Sequence, residues 1–128
     1  VESKLAHALY SIPAVKGVEF GLGFQGISVL GSDYNDMFIN EEGQTKTNNN
    51  GGINGGITNG NDIILRVFIK PTPSIYLPQE TFNFKTHEMD VLEIKGRHDA
   101  CIAKRAMVVV ENTVALALAD LYLINKGR

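Results

Sequence analysis

The spacing of apolar residues along the chain predicts three helical segments. Apolar positions recur at helical intervals over residues 4–11, which predicts a short amphipathic helix that Pro13 ends. One or two helical turns are predicted over Phe24–Leu30. A longer helix is predicted over Ala106–Asn125, with Gly127 just beyond its last turn. Because this last helix is apolar nearly all round, we expect most of it to be buried.

Two apolar runs predict the main strands. Residues Val15–Phe20 alternate roughly between apolar and polar, and Asp62–Lys70 form an almost unbroken, β-branched apolar run. The second run is typical of a strand that is buried on much of both faces. Three weaker strand patterns follow, over residues 75–77, 81–84 and 90–94. This order of helices and strands predicts a single two-layer α+β domain over residues 1–128.

The composition agrees with a globular domain and narrows the function classes. Of the 128 residues, 44% are apolar and 20% are charged, and the formal net charge is −2. These values argue against a disordered tail, and the near-neutral charge offers no electrostatic footprint for a nucleic-acid backbone. No apolar run approaches the roughly 18 residues of a membrane span, so we expect neither nucleic acid nor membrane as a partner.

Cysteine and histidine usage predicts neither a disulfide nor a metal site. Cys101 is the single cysteine, which excludes an internal disulfide and favours a reducing compartment such as the cytoplasm. We expect its thiol to be a small buried filler. No spacing of histidine and glutamate residues indicates metal ligands.

Residues 40–61 are unusually rich in asparagine and glycine. Six of the thirteen glycines lie in this segment, and Asn48–Asn50 directly precede Gly51–Gly52. Paired glycines let backbone N–H groups approach an anion or a flat ring without a Cβ in the way. The usual nucleotide-binding glycine motifs are absent. The segment therefore predicts either a flexible ligand loop or a plain flexible connection without regular structure, and we expect residues 42–58 to be disordered without a ligand.

The segment Lys70–Ser74 combines a cation, two prolines and two hydroxyls at the end of a predicted strand. A lysine with nearby hydroxyls is a reasonable phosphate clamp, and the prolines would fix its geometry before binding. The alternative is a solvated strand end followed by a turn.

The segment Gly96–Asp99 offers a second group of polar side chains. Arg97 has a guanidinium fork that suits a carboxylate or phosphate, and Asp99 could move protons, orient a partner or cap a turn. A Ser-His-Asp hydrolase using His98 is conceivable, but no serine has nucleophile-elbow spacing. The alternative is a polar turn between a strand and a helix.

Taken together and in this order, these segments resemble chorismate synthase. The resemblance covers nearly all of the chain, including its last helix. The matching motifs are Ile12–Gly21, Gly31–Asp36, Asn49–Ile57, Lys70–Ile75 and Gly96–Asp99. The family enzyme is much longer and this chain begins at Val1 without an initiator Met. We therefore expect the sequence to be the C-terminal portion of a longer protein.

The resemblance implies a fold, a reaction and an assembly. The implied fold is a β-α-β sandwich, of which this portion would form an antiparallel sheet with helices packed on one face. The implied reaction is the 1,4-elimination of phosphate from 5-enolpyruvylshikimate 3-phosphate, which gives chorismate in the seventh step of the shikimate pathway. It requires reduced FMN, in some members supplied from NADPH by their own flavin reductase, although no net redox change occurs. The implied assembly is a cytoplasmic homotetramer.

The resemblance also implies roles for individual residues. The implied cofactor-binding residues are Asn50, Gly55, Gly56, Lys70, Thr72 and Ser74. Among them, Lys70 and Ser74 match positions that contact the phosphate region of FMN. Arg97 matches an arginine that meets the anionic substrate, and Asp99 matches an aspartate beside the flavin that assists proton transfer. No metal is implied.

The sequence departs from the family pattern in ways that bear on activity. The two histidines that matter in the family have no match here, and Ala100 replaces a proline common after the Arg-x-Asp motif. Without those histidines and much of the basic substrate cage, we expect the chain by itself to be inactive. Two other hypotheses stay open, namely a non-catalytic α+β binding or oligomerisation module and a stand-alone phosphate binder that uses Lys70 and the glycine segment.

Overall fold

The computed structural model describes residues 1–127, which form helices and short paired strands. The helices are α1 (Glu2–Tyr10), α2 (Gly31–Tyr34) and α3 (Ala103–Lys126), with a 3₁₀ helix at Gly23–Ser28. The strands are β1 (Val15–Phe20), β2 (Ile53–Asn54), β3 (Ile57–Thr58), β4 (Leu65–Ile69), β5 (Gln79–Asn83) and β6 (Glu88–Leu92). The short first helix, the long last helix and the strand at residues 62–70 are confirmed with shifted ends, and β1 has the predicted bounds. The strand predicted at Ile75–Leu77 is wrong, since this stretch between two prolines forms no ladder.

The strands pair into antiparallel ladders that do not join. Strand β1 pairs with β4, with Val18 opposite Val67 and an irregularity between Val15 and Gly17. Strand β2 pairs with β3, and β5 pairs with β6. The α+β class is therefore confirmed, whereas the single antiparallel sheet is corrected to two-stranded ladders within residues 1–127. The β-α-β sandwich stays a prediction.

The core lies where α1 packs against β1 and α3. Leu5 and Leu9 are fully buried because residues four apart share one face of a helix. Val15 at the start of β1 and Ile53 at the start of β2 complete the set of buried apolar side chains among residues 1–127. Burying a side chain of this size stabilises the fold by about 1.5–3 kcal/mol. The asparagine- and glycine-rich segment thus contributes to the core.

Three burial predictions are wrong. None of the residues in α3 is buried, and Leu116 is 72% exposed, because α1 covers only part of this long helix. Strand β4 alternates between half-buried and exposed, with Phe68 49% exposed, since no second layer covers that face. Cys101, which lies just before α3 begins, is exposed as well.

By length and composition, α3 is also long and apolar enough to cross a membrane. This corrects the expectation that no segment is long and apolar enough for a membrane span. A few polar residues interrupt the apolar run in α3, but they leave the helix apolar on average. The core helix of a soluble protein passes the same test, so this one helix is weak evidence for a membrane span.

Candidate functional site

Residues Asn48–Gly52, here called the asparagine turn, are packed and internally hydrogen-bonded. All four backbone N–H groups of Asn49–Gly52 donate inside the protein. The first two donate to the carboxylate of Asp36 at 2.7 and 3.0 Å, and the last two donate to the backbone and side-chain oxygens of Asn48 at 3.1 and 2.7 Å. These N–H groups are therefore occupied and cannot at the same time bind an anion.

A glycine is required in this turn because the backbone of neighbouring segments comes so close. Gly51 has φ +63° and is buried, and a Cβ there would lie 2.5 Å from the backbone nitrogen of Gly21 and 2.7 Å from the carbonyl oxygen of Ile64. Backbone bonds from Leu22 to Asn49 (2.8 Å) and from Ile64 to Gly51 (3.2 Å) complete the attachment. The turn is thus wedged between the end of β1 and the start of β4.

The carboxylate of Asp36 is the acceptor on which the asparagine turn is built. Burial raises the pKa of this carboxyl group, but hydrogen bonds from Asn50, Asn49 and Thr47 outweigh that effect and hold the pKa below its ordinary value of 3.8. The side chain of Asn50 donates to Asp36 at 2.8 Å. One N–H of the Asn50 amide is therefore used, and its second N–H and its oxygen remain for the implied cofactor contact.

The following residues form an open β-hairpin. Strands β2 and β3 are joined by Gly55 and Gly56, here called the glycine tip, with φ +57° and +79°. Two consecutive positive φ angles are typical of the type I′ turn of a two-residue hairpin. No atom lies within 4 Å of a Cβ built on Gly55, and the N–H groups of the glycine tip find no acceptor among residues 1–127. These are the amides of the segment that an anion could reach.

The expectation that residues 40–61 lack regular structure is therefore corrected. The segment contains the asparagine turn, a hairpin, and a β-bridge between Phe38 and Thr45. Asparagine side chains replace the missing backbone partners, and this accounts for an ordered path with so few apolar residues. Its flexibility and its role as a ligand loop stay predictions.

The segment Lys70–Ser74 leaves the end of β4 with its cation in solvent. The Lys70 N–H donates to the carbonyl of Ala14 at 2.9 Å, while its side chain is exposed. The hydroxyl oxygen of Thr72 is buried and has no hydrogen-bond partner among residues 1–127. An unpaired buried hydroxyl costs about 1–3 kcal/mol, so a ligand oxygen that pairs with it would be favoured. With the half-buried Ser74 beside it, this donor set fits a phosphate-bearing group such as FMN.

The structure shows a partner of Asp99 that the sequence analysis missed. Arg105 donates to the Asp99 carboxylate at 2.9 Å, and the two side chains are 72% and 38% exposed, respectively. A signal was present, because a cation in the first turn of a helix is disfavoured by the helix dipole unless a carboxylate compensates it. Arg97 is exposed.

The arrangement of His98 does not support the hydrolase alternative. Its Nε2 lies 3.1 Å from the carbonyl oxygen of Ile94, and its ring meets that of Tyr76 edge to face at 4.5 Å. Asp99 instead binds Arg105, so the histidine–aspartate contact of a catalytic triad is not formed here.

Comparison with known proteins decides the family. The family model for chorismate synthase matches residues 1–123. The chain belongs to the chorismate synthase family. A chorismate synthase of Chitinophaga pinensis is 49% identical over 98% of this chain and 38% of its own length. One from Thermococcus gammatolerans is 51% identical over 99% of this chain and 36% of its own length.

A solved structure supports the assignment to the chorismate synthase family. A crystal structure of chorismate synthase matches 57% of this chain and 23% of its own chain, with a TM-score of 0.53 and 45% sequence identity. This chain thus spans little more than a third of the length of its chorismate synthase relatives. That share agrees with the expectation of a C-terminal portion.

The structure places the site residues that the resemblance implies in separate regions. Asn50 lines a cavity of about 420 Å³ with Asp36 and Asn54, and Gly56 lines another of about 510 Å³ beside α3. Lys70–Ser74 and Gly96–Asp99 line neither cavity. No hydrogen bond or ion pair joins these two segments to the hairpin within residues 1–127. Neither cavity therefore unites the implied cofactor residues with Arg97 and Asp99.

Proposed function

We propose that the full-length protein carrying this sequence is a chorismate synthase, a carbon–oxygen lyase of the shikimate pathway and of aromatic amino-acid biosynthesis. It would eliminate phosphate from 5-enolpyruvylshikimate 3-phosphate to give chorismate. The observation that supports this most directly is the family match over residues 1–123, with relatives about half identical that bear the name of this activity. The proposal includes a cytoplasmic homotetramer, for which the lone cysteine and the large exposed apolar surface are the support.

In this proposal, the segment after β4 binds the phosphate of reduced FMN. Lys70 supplies the charge, and the hydroxyls of Thr72 and Ser74 donate hydrogen bonds to phosphate oxygens. The unpaired buried hydroxyl of Thr72 is the structural feature that supports this assignment. The bound reduced flavin supplies electron density that assists the departure of the substrate phosphate.

The segment before α3 acts on the substrate in the same proposal. Arg97 is exposed and always charged, so its fork can bind a carboxylate or phosphate of the substrate. Asp99 assists the transfer of the proton that the substrate loses in the elimination. Arg105 holds the Asp99 carboxylate in one orientation. Because the family's histidines have no match here, we expect the 128-residue chain alone to be inactive.

Activity of the full-length protein tests this proposal. Incubation with reduced FMN and 5-enolpyruvylshikimate 3-phosphate without oxygen should release phosphate and form chorismate in equal amounts. Replacing Asp99→Asn should lower kcat by about 10²–10⁴-fold, the usual contribution of general acid–base catalysis, while FMN affinity stays unchanged. Absence of chorismate from an enzyme that binds FMN would contradict the proposal.

A matched pair of lysine variants tests the phosphate assignment. Lys70→Ala should weaken FMN binding by about 10-fold or more, because a charged hydrogen bond to phosphate is lost. Lys85→Ala removes the same charge from the exposed connection between β5 and β6 and should leave the affinity unchanged. Equal FMN dissociation constants for the two variants, measured by flavin fluorescence, would exclude Lys70 from the phosphate site.

A second candidate function is a non-catalytic assembly module, and one observation favours it. Large apolar side chains on α3 and on the β5–β6 hairpin are exposed, among them Leu116 and Phe84. Surfaces of this kind usually mark a contact with another protein segment. A folded 128-residue chain that self-associates in light scattering, but binds neither FMN nor substrate, would support this function for the chain as given.

A further inference from the structure

We propose that Asp36 is a positioning residue for the glycine tip, an inference that rests on the proposed function. The resemblance to chorismate synthase assigns cofactor contacts to the tip and none to Asp36. The structure connects the two, because the carboxylate holds the asparagine turn from which β2 and the tip extend.

Both oxygens of the Asp36 carboxylate are saturated by this turn and by Thr47, the residue just before it. Oδ1 accepts from the Thr47 hydroxyl at 2.8 Å and from the Asn49 N–H at 2.7 Å. Oδ2 accepts from the N–H of Asn50 at 3.0 Å and from its side-chain nitrogen at 2.8 Å. Only a carboxylate can accept four such bonds, since the nitrogen of an asparagine at this position could accept none. Two consecutive peptide planes are fixed as a result.

A second set of bonds ties the same turn to the backbone around Asp36. The side-chain nitrogen of Asn49 donates to the carbonyl oxygens of Asp33 and Tyr34 at 3.1 and 3.0 Å. Residues 33–36 and the asparagine turn therefore form one hydrogen-bonded unit. Ile53, buried in the core, follows this unit directly, and the glycine tip begins two residues later. The peptide planes that Asp36 fixes thus set the direction in which the hairpin leaves the core.

Asp36 acts through the turn rather than on a ligand. Its four accepted bonds leave no free lone pair of good geometry, and its negative charge would repel a phosphate. The glycine tip, in contrast, has N–H groups without an acceptor among residues 1–127. The carboxylate orients these donors while the tip meets the cofactor.

Hydrogen exchange and FMN titration of the full-length protein test the proposal. Asp36→Asn should speed exchange at the hydrogen-bonded amides within residues 49–58 by about 10-fold and weaken FMN binding by a similar factor, with kcat at saturating FMN kept within about 2-fold. Asp33→Asn is the matched control. It removes the same charge three residues away, and its side chain makes no hydrogen bond within residues 1–127, so both readouts should stay at wild-type values.

A milder variant keeps the test valid if Asp36→Asn does not fold. Thr47→Val removes one of the four bonds and should give a smaller change in the same direction at residues 49–58. Unchanged exchange there in the folded variants overturns the proposal. Faster exchange with wild-type FMN affinity overturns it too, because the turn would then not orient the cofactor contact. If the wild-type protein binds no FMN, the proposed function fails, and exchange alone decides whether Asp36 orders the tip.

Discussion

The asparagine turn and the glycine tip each contain a pair of glycines and are only two residues apart, yet the two pairs lie in different environments. Gly51 and Gly52 are buried, and every N–H of Asn49–Gly52 has an acceptor. In the tip, Gly55 has open space around it and Gly56 is half-buried, and the N–H groups of both find no acceptor among residues 1–127. A glycine pair can therefore serve dense packing in one place and an accessible turn in the next. Only the second can offer backbone donors to a ligand.

The difference arises from the polar side chains that surround each pair. Asn48 and Asp36 supply the acceptors that the packed turn needs, and they leave none of its N–H groups for a ligand. Among residues 1–127, no side chain accepts a hydrogen bond from the tip, and Asn54 instead accepts one from Asn59 at 2.6 Å. A glycine-rich segment should thus be judged by its acceptors as well as by its glycines.

The largest effect is expected from adding one methyl group to the asparagine turn and, in a second variant, to the glycine tip. Gly51→Ala should lower the free energy of unfolding by about 3 kcal/mol or more, because its Cβ would overlap backbone atoms at a positive φ. Gly55→Ala should cost only about 1–2 kcal/mol, since its strain is the positive φ alone. Urea denaturation of both variants measures the two free energies of unfolding. Equal decreases would show that the asparagine turn and the glycine tip are packed alike.

A smaller effect is expected from replacing one asparagine in the asparagine turn and, in a second variant, one beside the glycine tip. Asn48→Ala deletes the acceptor of the Gly52 N–H and the donor to the Asp62 carbonyl, and should cost about 2 kcal/mol. Asn54→Ala removes one exposed side-chain bond and should cost less than about 0.5 kcal/mol. Thermal unfolding distinguishes these values, and a larger loss for Asn54→Ala would reverse the comparison.

The pH dependence of stability tests whether the Asp36 carboxylate stabilises the asparagine turn. The pKa of Asp36 is lower in the folded protein than its ordinary value because of the bonds from Asn50, Asn49 and Thr47, which outweigh burial. Its stabilisation is therefore complete above the ordinary pKa of 3.8 and is lost as the pH falls through the lowered folded value. Below about pH 4, the free energy of unfolding should fall more steeply for the wild type and Asp33→Asn than for Asp36→Asn. Parallel curves for all three proteins would show that Asp36 is not the group involved.

The smallest effect is expected at the Asp99–Arg105 pair, which is exposed like the glycine tip. Arg105→Ala should change the free energy of unfolding by less than about 1 kcal/mol, because exposed ion pairs contribute little. A decrease in the free energy of unfolding as large as that of Asn48→Ala would show that this pair contributes as much stability as a contact of the asparagine turn. Denaturation at low and high salt separates the two cases, since salt screens an exposed pair.

Local sequence patterns are enough to locate the main helices and strands. The helical repeat around Leu5 and Leu9 and the apolar run at Leu65–Ile69 are local patterns, and the structure contains α1 and β4 there. The motif order also indicated the family, which the match over residues 1–123 confirms. These features depend on neighbouring residues, so they can be inferred without knowing what packs against them.

The tertiary structure alone decided burial and hydrogen-bond partners. It left α3 exposed, set Arg105 against Asp99 and bound Asp36 to residues eleven to fourteen positions away. Composition gave the asparagine turn and the glycine tip the same interpretation, although only the tip keeps open donors. The physical reason is that an acceptor distant in sequence satisfies a donor just as well as a near one, and only the fold determines which donor it meets.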